Sequence, residues 1–280
     1  MLRSCLLFLL VSVLGAVAQG PAGYTYSTVN YPGAILTQIH GINSAGWIAG
    51  QYTDSAGNTH GFTQISGTFY SIDFPGAELT EVQSINSTRG LAGTYVDSQG
   101  LTHGFVEING TLTTLDVPGA FRTQAYGMND SGMVVGGYSD ATGQHGFSYN
   151  GITYTTLNLG TKNFTVATAI NNAGQIIGYY GSKDGSTVGF LSSNGKITNI
   201  TTSNAVTEPL GINANGLIVG ITGTETQFMS FMFQNGRFLQ THLKVPSSFI
   251  TQAEDVDDSG EIVGWFLFQG SPLDGFSALP

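Results

Sequence analysis

Asn43, Asn86, Asn129, Asn171 and Asn213, with Asp257 in the sixth place, follow one another at intervals of 43, 43, 42, 42 and 44 residues. Seven residues after each stands a glycine: Gly50, Gly93, Gly136, Gly178, Gly220 and Gly264. A period in this range restricts a chain to solenoids, arrays and propellers, because one unit of this size cannot bury its apolar face alone and must pack on its neighbours.

Each unit reads as four short strands. The first carries alternating residues such as LTQIHGIN and ends in Asn43-Ser-Ala-Gly46, Asn129-Asp-Ser-Gly132, Asn171-Asn-Ala-Gly174 or Asn213-Ala-Asn-Gly216. Asparagine bonds the backbone that follows it and glycine accepts positive φ, so N-x-x-G encodes a tight hairpin turn. The second strand (WIAGQY, MVVGGY, QIIGYY, LIVGIT) is rich in residues that favour an extended chain, and its fixed glycine marks a bulge or a close backbone approach. A polar turn opening on Asp54, Asp97 or Asp140 leads to a third strand with Gly-Phe at 61/62, 104/105, 146/147, 189/190 and 275/276, replaced by Ser230-Phe231 in the fifth unit. One large aromatic beside a residue with little side chain is what sheet-on-sheet packing requires. The fourth strand, as in TFYSIDFPGA, ends in Pro-Gly, and helical periodicity is absent throughout.

Four strands in some 43 residues is the size of a propeller blade. The sixth unit stops at Asp274-Gly-Phe-Ser-Ala-Leu-Pro280, where its fourth strand should begin, while Tyr24 to Ala34 near the N-terminus matches a fourth strand. The expected fold is all-β: one domain over 19–280, a six-bladed β-propeller of four-stranded blades, closed by the N-terminal strand pairing with the last repeat so that no edge stays open.

The unit G-I-N-x-x-G-x-I-V-G…H-G-F resembles the HAF repeat of bacterial extracellular repeat proteins. Its triplet stands here as His60-Gly61-Phe62, His103-Gly104-Phe105 and His145-Gly146-Phe147, with glycine where that family usually has alanine and no histidine in the later units. The resemblance spans nearly all of the chain after the leader. It implies an exported β-repeat protein and brings no catalytic residues with it.

Residues 1–18 combine Arg3, an apolar run from Leu6 to Leu14 and small residues at Ala16 and Ala18, the pattern of a secretory signal peptide cleaved after Ala18. The run is short of the roughly 20 residues that span a bilayer, so no membrane span is expected in the mature chain. The single cysteine, Cys5, lies inside this leader, which leaves the mature chain without disulfides or thiol chemistry. Secretion without disulfides points to a bacterial extracellular or periplasmic protein. The net charge of −10 argues against nucleic acid and anionic membranes as partners. No G-x-S-x-G elbow, H-E-x-x-H helix or phosphate-cradling loop appears, and no cofactor is expected.

Polar residues collect on the face that carries the turns between second and third strands, Asp54, Asp97, Asp140 and Asp184 with His60, His103 and His145 near one turn and Asp73, Asp116, Glu78 and Glu81 near the other, while Tyr52, Tyr95, Tyr138 and Tyr180 recur at the end of the second strand. One reading makes them ligand-binding groups, with aromatic faces for sugar rings or peptide side chains. The other makes the aspartates turn starters, the histidines partners of backbone carbonyls, and the tyrosines packing between blades. The densest acidic run, Glu254 to Asp258, lacks calcium-hand spacing and reads as a solvated turn, with cation binding left open. Few residues break the repeat: His40, Arg89, Arg122, His242 and that run. Catalysis needs acid and base in different environments, so this scarcity disfavours an enzyme. The function expected is a secreted binding module for extracellular glycan, envelope material or protein. The alternatives are a polysaccharide hydrolase or lyase using facing carboxylates, and a purely structural surface protein.

Overall fold

The computed structural model describes residues 18–19, 23–160, 164–224 and 227–280, so the predicted signal peptide lies outside the described residues except for Ala18. Two short strands, β1 (Ala18–Gln19) and β2 (Thr25–Thr28), precede the repeats. The first unit holds β3 (Leu36–Ile42), β4 (Ile48–Thr53), β5 (Thr59–Ile65) and β6 (Thr68–Ile72). The second holds β7 (Leu79–Ile85), β8 (Leu91–Val96), β9 (Thr102–Ile108) and β10 (Thr111–Leu115). The third holds β11 (Arg122–Met128), β12 (Val134–Asp140), β13 (Gly143–Tyr149) and β14 (Tyr154–Leu157). The fourth holds β15 (Thr165–Ile170), β16 (Ile176–Gly181), β17 (Thr187–Ser193) and β18 (Lys196–Ile200). The fifth holds β19 (Val206–Ile212), β20 (Ile218–Thr224), β21 (Gln227–Gln234) and β22 (Arg237–Leu243). The last has β23 (Ile250–Val256), β24 (Ile262–Leu267) and β25 (Leu273–Leu279).

Within each unit the strands pair antiparallel in sequence order, and no α-helix occurs among the described residues. Strand β2 pairs antiparallel with β25, Thr25 opposite Leu279 and Thr28 opposite Phe276. The pairing continues past the strand: Val29 N–H donates to the Gly275 carbonyl at 2.9 Å, and Asn30 Nδ2 donates to Asp274 Oδ1 at 2.6 Å. Strand β2 thus stands beside β25 as β6 stands beside β5.

The phenylalanines after the paired glycines, Phe62, Phe105, Phe147, Phe190, Phe231 and Phe276, are all fully buried. A Cβ at Gly61 would meet Val82 Cγ2 of the next unit at 2.8 Å, so glycine sets how closely neighbouring sheets approach. In the fifth unit Ser230 replaces it and bonds the sixth, donating to the Thr251 carbonyl at 2.8 Å and accepting from Ala253 N–H at 2.9 Å. The second-strand glycines answer a different demand. A Cβ on Gly50, Gly93, Gly136, Gly178, Gly220 or Gly264 would collide with a carbonyl oxygen of the adjacent first strand, which carries a β-bulge in every unit.

The turn asparagines do two things. Asn43 Oδ1 accepts from Ala45 and Trp47 N–H, both at 3.0 Å, which folds the hairpin around Gly46. Its Nδ2 donates to the Asn86 carbonyl of the next unit at 3.0 Å. The same link runs from Asn86 to Asn129 (3.2 Å), Asn129 to Asn171 (3.3 Å), Asn171 to Asn213 (3.0 Å) and Asn213 to Asp257 (2.8 Å). A side chain that serves both its own turn and the next sheet cannot be exchanged freely, which is why asparagine recurs here in five of the six units. Arg89 takes the glycine place in the second turn at φ 68°, and its guanidinium lies 4.9 Å from the Trp47 ring centre.

Candidate functional site

The residues singled out in the repeat form one construction in each of the first three units. The register sets Tyr52 opposite His60, Tyr95 opposite His103 and Tyr138 opposite His145 on paired strands. His60 bridges two aspartates, with Nδ1 2.8 Å from Asp73 and Nε2 3.4 Å from Asp54. His103 does the same with Asp116 (2.8 Å) and Asp97 (3.3 Å). His145 reaches Asn158 Oδ1 (2.6 Å) and Asp140 Oδ1 (3.2 Å). Asp54, Asp97 and Asp140 also hold their turns, Asp54 Oδ1 accepting from Ala56 and Asn58 N–H at 2.8 and 2.9 Å.

Hydrogen bonds from the Asn58 side chain and backbone hold Asp54 down at about 2, and those from Thr142 hold Asp140 at about 2. Burial works against the charged form of His60 and His103, but the hydrogen bonds and charges of their aspartates outweigh it and raise both.

Tyr52, Tyr95 and Tyr138 offer no open ring to a ligand. Tyr52 stacks on Tyr31 (centroids 3.6 Å apart) and on His60 (5.0 Å), and Tyr95 on Phe74 (3.8 Å) and His103 (4.9 Å). Tyr52, Tyr95 and Tyr138 are buried and Tyr180 is half-buried. Their hydroxyls bond to Ser71, Thr114, Thr156 and Asn199 at 3.1, 2.9, 2.9 and 3.3 Å. Of the two readings, packing describes Tyr52 and Tyr95, because the segment ahead of each unit lays its own aromatic, Tyr31 or Phe74, over the ring.

The fifth unit lacks the construction. Register places Thr222 where Tyr52 stands, Met229 where His60 stands and Lys244 where Asp73 stands. The aromatic stack is replaced by a bond between Thr222 and Thr202 hydroxyls at 2.7 Å. A cavity of about 410 Å³ lies beside these residues, lined by Phe228, Met229, Leu243, Phe249, His242 and Lys244 among others. Phe249 is 68% exposed and Phe228 36%. This is a concave, mainly apolar site with a few convergent polar groups, of the volume that small ligands use. Its signal was visible in part: His242 breaks the repeat, but losing tyrosine, histidine and aspartate together requires the register to be known.

The second departure from symmetry is central. The bulge in each first strand leaves His40, Gln83, Tyr126, Thr168, Leu210 and Glu254 unpaired, and a bulge re-aims its side chain. All but Glu254 line a cavity of about 90 Å³ to which all six units contribute. Glu254 Oε1 accepts from Trp265 Nε1 and Gln252 Nε2, both at 2.8 Å. Burial pushes Glu254 up to about 7 and drives His40 down to about 4, so the 3.9 Å approach of His40 Nδ1 to Glu254 Oε1 is no ion pair between those values.

Asp255 is likewise pushed up to about 7 by burial while its Oδ2 accepts Ile42 N–H at 3.0 Å. The expectation of a solvated turn from Glu254 to Asp258 is therefore corrected. Glu254 and Asp255 belong to the inner strand β23 and face the interior, and only the end of the run is a turn. Among the described residues no three His, Cys, Asp or Glu side chains are grouped as metal ligands. No helix among them is long and apolar enough to cross a membrane.

No family model and no curated protein matches the sequence. Solved structures do match. The chain is similar to Aleuria aurantia lectin in complex with alpha-methyl-L-fucoside (TM-score 0.55, 10% identity, 89% of this chain and 93% of that one). It is similar to TolB from Acinetobacter baumannii (TM-score 0.55, 14% identity), covering 72% of this chain and only 54% of TolB. A third likeness is to virginiamycin B lyase from Staphylococcus aureus (TM-score 0.53, 12% identity, 88% and 83% covered). A further structure of the Aleuria lectin, at TM-score 0.50, is described as a six-bladed β-propeller. At these identities the likeness is one of fold: the chain is a β-propeller.

Proposed function

We propose that this chain is a six-bladed propeller in which β2 completes the last blade, and that it is exported as a binding module for glycan or cell-envelope material. The pairing of β2 with β25 and the bond from Ile42 to Asp255 between the last and first units support closure. The leader and the HAF-like repeat support export. The observation that carries the binding role is the cavity beside the fifth blade, where two partly exposed phenylalanines stand over polar groups in a fold shared with a fucose-binding lectin. Aromatic faces suit the apolar side of sugar rings, and polar groups at the rim suit their hydroxyls.

The test is to incubate the chain from Gln19 onward with immobilised polysaccharides and peptidoglycan, measuring both retained protein and released reducing ends. Retention that falls at least tenfold in Phe249→Ala is expected, since that side chain is exposed and its loss leaves the core intact. Release of reducing ends would transfer the case to a hydrolase, and absence of retention on every material would overturn the reading.

A further inference from the structure

Resting on that binding role, we infer that the cavity between the fifth and sixth blades selects glycans that carry a carboxylate. Where the first two blades present Asp73 and Asp116, the fifth presents Lys244, a reversal of charge at one repeat position. Lys244 and His242 are both exposed and both line the cavity, and among the described residues Lys244 makes no ion pair. Replacing histidine by Met229 and tyrosine by Thr222 removes the two rings that close this corner elsewhere. The same substitutions thus create both room and positive charge.

The distribution of charge along the chain agrees. Residues 159–248 hold five of the eight basic residues against three acidic ones. Residues 24–158 carry two basic and nine acidic, and residues 249–280 six acidic and no basic. An anion approaching this protein is repelled least, and steered most, toward the fourth and fifth blades. Glu225, the one acidic residue from 209 to 253, lies outside the described residues.

A single ammonium with an adjacent imidazole, and no guanidinium among the lining residues, matches one carboxylate rather than a doubly charged phosphate. Phe249 and Phe228 would hold the ring face while Lys244 holds the acid. A sugar acid thus fits the site better than a neutral sugar, which leaves the ammonium without a partner, or a fatty acid, which leaves the polar rim without one.

The experiment is isothermal titration with trigalacturonic acid against its methyl ester, and with sialyllactose against its methyl ester, so that each pair differs in the acid and little else. The acid is expected to bind at least tenfold more tightly in one pair or both. Lys244→Ala should erase the preference while keeping weak binding, and Phe249→Ala should weaken acid and neutral forms together. Raising salt from 50 to 500 mM should narrow the gap. Equal binding of acid and neutral forms, or a preference that survives Lys244→Ala, would overturn acid selection and leave the binding module standing. Failure to bind any of the four, together with no retention on any polysaccharide, would remove the binding role itself.

Discussion

In the first two blades a tyrosine, a histidine and two aspartates close the outer corner, whereas in the fifth threonine, methionine and lysine stand at the tyrosine, histidine and fourth-strand aspartate positions and the corner is open. Beneath that difference the blades are alike: Phe62, Phe105 and Phe231 are equally buried, and Gly50, Gly93 and Gly220 meet the same carbonyl obstruction. Positions that fix the blade and positions that decide whether its corner is filled are therefore distinct sets. One blade can be rewritten at its rim without disturbing how it packs on its neighbours.

The largest test of that separation is made in the core. Phe62→Ala and Phe231→Ala should each cost about 3–5 kcal/mol, the range for deleting a fully buried aromatic, measured by urea unfolding. If the fifth blade's core were loosened along with its corner, Phe231→Ala would cost much less than Phe62→Ala, and core and rim would not be independent.

Acidity separates the blades by another route. Glu254 and Asp255 have folded pKa values near 7, above their ordinary 4.5 and 3.8, so their burial weakens the fold progressively as pH rises from about 4 through 7. His60 and His103 are raised, so their stabilisation is complete below 6.5 and is lost as pH climbs through their folded values. His40, held at about 4, acts the other way and loses stability as pH falls from 6.5 to 4. The sum favours acid, and the melting temperature should be higher at pH 5 than at pH 8. Glu254→Gln keeps an acceptor for Trp265 and should recover on the order of 3 kcal/mol at pH 8 while flattening the profile. An unchanged profile would place the titration elsewhere, and the rim histidines would be next to mutate.

The repeat made the strands legible because asparagine turns, second-strand glycines and Gly-Phe pairs each answer a local demand that recurs. Even the pairing of β2 with β25 was readable, since Tyr24 to Ala34 repeats the pattern of a fourth strand. The tyrosines were read at the right place without their partners: that Tyr31 and Phe74 cover them depends on how a connector from the previous blade crosses. Glu254 and Asp255 misled for a related reason. A run of charges reads as solvated unless the bulge that turns one side chain inward, and the hydrogen bonds from Trp265 and Ile42 that receive these carboxylates, are known.

The corner itself can be opened in a blade where it is closed. Tyr95→Thr gives the second blade the fifth blade's residue, removing the stack on Phe74 and the bond to Thr114. The expected cost is about 2 kcal/mol, less than a full core deletion because this ring sits at the edge of the core. The same variant should leave carboxylate selectivity untouched, as Asp116 keeps that corner acidic. Gain of acidic-glycan binding at the second blade would show that space alone, without Lys244, makes the site.

The smallest effect concerns the seam between the last blade and the first. Five turn asparagines donate through their side chains to the carbonyl of the next turn, and the sixth position, Asp257, has no side-chain N–H to donate. Its Oδ1 accepts from Ser259 and Glu261 N–H at 2.9 and 2.8 Å, as Asn43 Oδ1 accepts in its own turn, so asparagine fits there without rearrangement. Asp257→Asn should therefore complete the circle of links by donating to the Asn43 carbonyl, and stabilise the protein by about 1 kcal/mol, the net worth of one such hydrogen bond. It also removes a negative charge two residues from Asp255, whose raised pKa owes part of its shift to Asp257. Asp258→Asn, one residue further along, is the control for charge alone. A gain in Asp257→Asn beyond that control requires the last turn to lie beside the first, whereas equal effects in the two variants would mean that the sixth link is not made and the seam is held by Asp255 and β2 only.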